Sequence, residues 1–354
     1  MKKKILAMML VGAMAVMSLA GCGKSSSSSS AGGEATTAAE NSTEASKDSP
    51  KNITNKDAKY HIGILQLVQH PALDAASKGF EDALVDEFGK DVDIEYQNAS
   101  GDSPTCSTIA NTFVQNKKDL ILANATPALQ AAVGATSDIP ILGTSITDYA
   151  TALDMKNWNG TTGINVSGTS DLAPLDQQAD LLEQLFPADN YKNVGILYCN
   201  AEANSAYQSR VITEALKKKG YSVKEYKFSD TNDVASVTTN AAQSSDVLYI
   251  PTDNTAASCT DTIRPILLQA KKAAVVGEEG ICKGCGVATL SINYYELGYQ
   301  TGKQAVDILK NGSDVSKMEV KTADKVTKEY NKELADELGV KIPDDFTAID
   351  TSEK

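Results

Sequence analysis

Short apolar runs alternate with amphipathic stretches from Tyr60 onward, and the alternation occurs twice. In the first pass, "HIGILQL" (61–67) reads as a strand and "HPALDAASKGFEDALVDEFG" (70–89) as a helix. Leu73, Ala76, Phe80, Ala83, Leu84 and Phe88 fall at helical spacing there. "VDIEYQN" (92–98) alternates as a strand, and "SPTCSTIANTFVQNK" (103–117) opens with a serine cap and a proline, as helices do. "DLILAN" (119–124), "TPALQAAVGAT" (126–136) and "IPILGTS" (139–145) continue strand, helix, strand. Later, "VGILYCN" (194–200), "DVLYIPTDN" (246–254) and "AAVVGEE" (273–279) answer "IGILQL", "DLILANAT" and "PILGTS" in the same order at nearly constant offset. Strand–helix alternation builds parallel sheets with helices on both faces. Its repetition predicts two such lobes.

The chain is long enough for both. Its 354 residues are 42% hydrophobic and 22% charged, a globular mix. "TTGINVSGTSD" (161–171) is the expected first crossing between lobes. "NYYELGYQTGKQAVDILKNG" (293–312) is a helix returning to the first lobe. "KMEVKT" (317–322) is a second crossing, and "KEYNKELADELGV" (328–340) ends on the second lobe. The expected fold is therefore α/β: two Rossmann-like lobes with parallel sheets joined by a multi-strand hinge. Lobe 1 comprises residues 57–165 plus 293–318, and lobe 2 residues 166–292 plus 319–350. Two lobes on several crossings make a cleft that closes.

Ahead of the lobes lies a targeting segment, residues 1–21. Lys2, Lys3 and Lys4 precede an apolar run over 5–20 that is short for a membrane span and suits a secretory signal. It ends in Leu19, Ala20, Gly21 and Cys22, which resembles the lipobox of bacterial lipoproteins and implies that Cys22 is lipidated. Residues 22–56, with six consecutive serines and almost no large apolar side chain, read as a flexible tether.

Charge and chemistry exclude several classes. A net charge of −13 is the wrong sign for gripping nucleic acid or an anionic membrane surface. The only arginines are Arg210 and Arg264, which argues against phosphate or dicarboxylate ligands. His61 and His70 are the only histidines, too few for a nucleophilic triad or a histidine metal site. His61 reads as structural and His70 as a helix cap at the cleft rim. No glycine-rich phosphate loop follows a strand. "CKGC" (282–285), placed in a glycine-rich loop, leaves free thiols, a local disulfide or a metal or redox role open. No catalytic residue, metal or cofactor is expected.

Ligands of open α/β sheets bind beyond the carboxyl ends of strands. The loops there are 66–71, 124–127, 144–148, 200–205, 252–255 and 278–280, polar but free of Lys and Arg. Hydroxyls and helix-start N–H groups near Thr126 and Ser205 suit a carboxylate. Asp253, Glu202, Glu278 and Asp171 suit an ammonium, and Tyr198, Tyr294, Tyr149 and Leu67 stand ready for an apolar side chain. A small zwitterion fits this set.

Taken together, "IGILQLVQHPALDAASKGFEDAL", "DLILANATPALQAA", "VSGTSDLAPLDQQADLL", "GILYCNAEANS", "YIPTDNT" and "ATLSINYYELGYQTGKQA" resemble the ABC-transporter substrate-binding proteins of the tryptophan/tyrosine type. That resemblance implies the type I periplasmic binding protein fold, an aromatic amino acid as ligand, and delivery to the transmembrane subunits of an ABC permease. It also implies a monomer lipid-anchored outside the cell membrane, with no nucleic-acid partner and no enzymatic activity. The pocket residues it implies are Gln66, Thr126, Ser145, Thr147, Asp171, Glu202, Asn204, Ser205, Asp253, Asn254 and Glu278, to which the reading of the loops adds Tyr294. Among these, Thr126, Ser145, Thr147 and Ser205 would take the carboxylate, and Asp253 with Glu202 or Asp171 the amine. "CKGC" departs from the family, whose corresponding loop usually lacks paired cysteines. A sugar or nucleoside ligand, a sensor role and a surface enzyme are the alternatives.

Overall fold

A computed structural model describes residues 49–323 and 325–350. The expected signal segment, Cys22 and most of the tether lie outside the described residues.

The first lobe runs β1 (Tyr60–Gln66), α1 (Pro71–Phe88), β2 (Val92–Asn98), α2 (Ser103–Gln115), β3 (Leu120–Asn124), α3 (Thr126–Ala135), β4 (Ile141–Ile146), α4 (Tyr149–Ala152) and β5 (Val166–Ser170). The second begins with α5 (Leu175–Leu185), β6 (Asn193–Cys199), α6 (Ala203–Lys218), β7 (Ser222–Phe228), α7 (Val234–Ser244) and β8 (Val247–Ile250). It continues through α8 (Asn254–Ser258), α9 (Thr260–Ala270), β9 (Ala274–Val276), α10 (Glu279–Gly284) and β10 (Ala288–Ser291). Then come α11 (Tyr294–Asn311), β11 (Lys321–Thr322), β12 (Thr327–Tyr330), α12 (Lys332–Leu338) and β13 (Thr347–Ala348).

Two sheets result, ordered β11-β5-β4-β3-β1-β2 and β13-β12-β10-β9-β8-β6-β7. All pairings in the first are parallel; in the second only β10–β12 is antiparallel. Both faces of each sheet are covered, which is why the strands read as unbroken apolar runs rather than alternations. Leu120 and Leu122 of β3 pack with Phe80 and Leu84 of α1, while Ile121 and Ala123 pack on the other face with Phe113 and Leu129. The second lobe repeats this, with Leu248 and Ile250 on one face and Val247 and Tyr249 on the other.

Three details differ from the sequence reading. Val166–Ser170 pairs with β4, so it belongs to the first sheet and the chain crosses after Ser170 rather than at residue 166. Lys321–Thr322 pairs with β5, so the last crossing falls after Thr322 rather than at residue 319. The tether also stops short of residue 56. Ile53 forms an antiparallel bridge with Ile94, and Asn52 Oδ1 accepts from the Tyr96 amide, so this stretch covers the exposed edge of β2.

Candidate functional site

Two turns at the sheet end of the first lobe carry non-glycine residues in the left-handed region: Ala125 (φ 92°) after β3 and Ser145 (φ 56°) within the bulged end of β4. Such backbone is costly and clusters where a chain must present groups in a set direction. Here it aims the loops carrying Thr126, Ser145 and Thr147 at the second lobe. All three are buried.

The lobes meet directly along this seam. Gln208 Nε2 of α6 lies 3.4 Å from Thr147 Oγ1, and His70 Nε2 lies 3.4 Å from Asn254 Oδ1. Tyr294, at the start of α11, donates its hydroxyl to Asp171 Oδ2 at 2.9 Å. Gln208 is itself fixed by exchanging bonds with the backbone of Thr252. Cavities of ≈ 280 Å³, beside Leu67, Glu202 and Asn254, and ≈ 220 Å³, beside Thr147, Ser170 and Leu172, open at the two ends of the seam.

Five buried polar atoms from the seam loops lack a hydrogen-bond partner among the described residues: His70 Nδ1, Asn124 Oδ1, Ser145 Oγ, Asp171 Oδ1 and Asn204 Oδ1. Orphaned buried polar atoms cost about 1–3 kcal/mol each and are uncommon singly in native interiors. Five of the eleven such atoms among the described residues lie on this one seam, which suits a polar ligand there. Asp171 is the one carboxylate among them. Burial pushes its pKa up to about 6, against the pull of the Tyr294 and Thr147 hydroxyls.

Other expected site residues turn inward. Glu202 accepts from Asn254 N (3.1 Å) and Nδ2 (2.6 Å) and from Thr255 N (2.9 Å) and Oγ1 (2.7 Å), which saturates both its oxygens. Asp253 caps α8 through Ala256 N and also holds Cys199 N, with Ser205 alongside; burial, then the charge of Glu202, raises its pKa. Glu278 caps α10 through Gly280 and Ile281 N–H groups, and burial raises it to about 7. Gln66 ties β1 to α1 by bonds with Asp74 and Ser77. Every oxygen of Asp253 and Glu202 thus already accepts at least one bond from the protein, which leaves both less open to an ammonium than Asp171. Ser205 is fully buried, with its hydroxyl beside Asp253.

What the sequence missed is equally informative. Asn124 opens one of the expected ligand loops without being singled out as a site residue, and Gln208 reads only as a mid-helix glutamine. His70 makes no side-chain cap bond for α1, contrary to expectation; its ring crosses to the other lobe instead. The CKGC stretch ends α10, with Cys285 as its C-cap, rather than lying in a loop; Cys282 and Cys285 are buried free thiols, as are Cys106 and Cys199, with Cys259 free and partly exposed. No group of His, Cys, Asp and Glu among the described residues could hold a metal ion.

Comparison with known proteins decides the family. The model of the family described as "ABC transporter substrate binding protein" matches residues 61–354. The chain belongs to that family. Membership implies an extracytoplasmic substrate-binding role; no helix of the described residues is long and apolar enough to cross a membrane. A tyrosine-binding protein of Clostridioides difficile (strain R20291) is 37% identical over 325 residues, 91% of this chain and 88% of that one. The structure of an ABC domain from Streptococcus pneumoniae in complex with L-tryptophan is similar at a TM-score of 0.77, with 34% identity over 81% of this chain and 97% of that one. The ligand-free, open structure of a Clostridium difficile substrate-binding protein with adhesive properties is 39% identical over 83% of this chain and all of that one. Its TM-score is only 0.63. The fit is thus better to the liganded relative despite lower identity, in keeping with the direct bonds that join the lobes here.

Proposed function

We propose that this substrate-binding protein captures a free aromatic L-amino acid between its lobes and presents it to an ABC permease. The observation that carries the reading is the set of orphaned polar atoms along the seam, with one carboxylate among them. Asp171 suits the α-ammonium, with Asn204 Oδ1 as a second acceptor. Ser145 Oγ, together with the N–H groups at the start of α3, suits the α-carboxylate, while Thr147 spends its hydroxyl proton on Asp171. With no arginine in these loops, the carboxylate is met by neutral donors, which limits charge repulsion between the ligand's amine and the site. The tyrosine and tryptophan named for its relatives supply the side-chain class.

The test is a thermal-shift panel on the purified protein with all common amino acids, sugars and nucleosides. Tyrosine or tryptophan at a hundred times its Kd stabilises by about 2.7 kcal/mol, a shift of several degrees. A panel in which a sugar or nucleoside shifts the transition and no aromatic amino acid does removes this reading.

Lipid anchoring through Cys22 belongs to the same proposal, resting on the leader and lipobox of residues 1–22. Cys22→Ser moves the protein from the membrane fraction to the soluble fraction of cell lysates; an unchanged distribution counts against the anchor.

A further inference from the structure

The two histidines differ sharply: His61 is partly exposed beside Asp93, whereas His70 is buried in the seam with one ring nitrogen unpaired. Which nitrogen carries the proton follows from its neighbours. Glu202 accepts from five donors and has none to give, so the group of Asn254 that faces it at 2.6 Å is the amide nitrogen. That orientation turns Asn254 Oδ1, an acceptor, toward His70 Nε2. Nε2 is therefore the N–H. Burial also drives the His70 pKa down to about 4, so the ring is neutral at physiological pH and Nδ1 is left as a bare lone pair.

Position says what this acceptor reads. His70 follows β1 and Asp171 follows β5, with β4 and β3 between them in the sheet. Three strand spacings of about 4.8 Å separate the two strands, about 14 Å in all. That spacing is between backbones, and an amino acid whose ammonium meets Asp171 would extend its side chain, rather than its α-carbon, across the strand ends toward His70. A neutral imidazole acceptor there suits a neutral donor.

We infer that His70, held by the Asn254–Glu202 chain, is a specificity-determining residue whose Nδ1 accepts a hydrogen bond from a donor on the ligand's side chain. Resting on the amino-acid reading above, this narrows the ligand class to aromatic amino acids bearing an N–H or O–H, such as tyrosine and tryptophan, and disfavours phenylalanine. A site that presents a buried acceptor rejects a ligand without the donor because that acceptor is left unpaired.

Calorimetry with tyrosine, tryptophan and phenylalanine on the wild type and on His70→Phe tests this. The wild type prefers a donor-bearing ligand over phenylalanine by tenfold or more. In H70F that preference collapses, chiefly through weaker binding of the donor-bearing ligand, while phenylalanine holds or gains. Equal weakening of all three ligands in H70F would make His70 a lobe contact only and overturn the inference. So would a wild type that binds phenylalanine as well as tyrosine and tryptophan. A wild type that binds none of the three defeats the underlying amino-acid reading instead, a distinct result. Should H70F not fold, ¹⁵N NMR of the histidines in the wild type decides. The His70 pattern is that of the neutral Nε2–H tautomer, and the Nδ1 resonance moves on adding the donor-bearing ligand but not phenylalanine. A protonated Nδ1, or no movement on saturation, refutes it.

Discussion

Changing Asp171 to asparagine lowers the affinity for tyrosine and tryptophan by about 2–4 kcal/mol, or roughly 30- to 1,000-fold. The reason is its position among the acids of the seam. Glu202, Asp253 and Glu278 spend their oxygens on helix caps and backbone N–H groups, while Asp171 keeps Oδ1 free and faces only hydroxyls. An asparagine preserves the shape and the Tyr294 contact but cannot neutralise a buried ammonium. The pH dependence distinguishes this from simple distortion. The free carboxyl has a pKa near 6, raised first by burial, and only its ionised form pairs with the amine. Ligand and proton therefore compete. Wild-type affinity is at its plateau above about pH 7 and falls as pH drops through 6, by up to tenfold per unit, as one proton must be displaced on binding. D171N loses the limb centred near pH 6; what change remains between pH 5 and 8 belongs to Glu278, raised to about 7, and Asp253. Calorimetric titrations across this range check both statements; an asparagine variant that binds like the wild type would reassign the ammonium to another group.

The sequence made the lobes legible because each sheet is covered on both faces, so strands appear as apolar runs and helices as amphipathic spans. It set the lobe boundary at residue 166, too early within the expected crossing 161–171, for a physical reason. Val166–Ser170 is buried, yet it holds its place with small polar side chains: Ser167 Oγ donates to Met318 O, and Thr169 Oγ1 lies 3.2 Å from Thr144 Oγ1 and 2.7 Å from Thr301 Oγ1. A strand stabilised by a hydroxyl chain carries no hydrophobic signature. A two-residue strand such as Lys321–Thr322 carries none either. In the site, the difficulty is that an acid just before a helix looks the same whether it caps the helix or meets a ligand. Only the count of donors around each oxygen separates Asp171 from Asp253. The donor that marks Asp171 sits on Tyr294, in an element that returns from the other lobe. His70 was read as a cap because it precedes Pro71; its role depends on an amide orientation set by Glu202, which no local pattern encodes.

Gly298→Ala destabilises the protein by about 3 kcal/mol, a fall in melting temperature on the order of 10 °C, and weakens ligand binding with it. The two long helices of the first lobe, α1 and α11, touch backbone to backbone. A β-carbon on Gly298 would stand 1.8 Å from the carbonyl oxygen of Ala76, and one on Gly79 2.1 Å from that of Tyr295. Gly302 adds a third close approach, 2.5 Å from the Ala83 Cβ. Because the obstacles are main-chain atoms of a helix, no rotamer change relieves them; the helices must part. Parting them also disturbs bonds along the same interface, from Tyr295 to Asp82 and from Tyr299 to Asp86. Binding suffers because α11 begins with Tyr294, whose hydroxyl orients Asp171. The control is Gly134→Ala in α3, where an added methyl meets nothing within 4 Å. Helix propensity alone makes that change neutral or stabilising by up to about 1 kcal/mol. Thermal melts with and without tyrosine on both variants check the pair. If G298A melted like the wild type, the close helix contact could not be what holds Tyr294 in register.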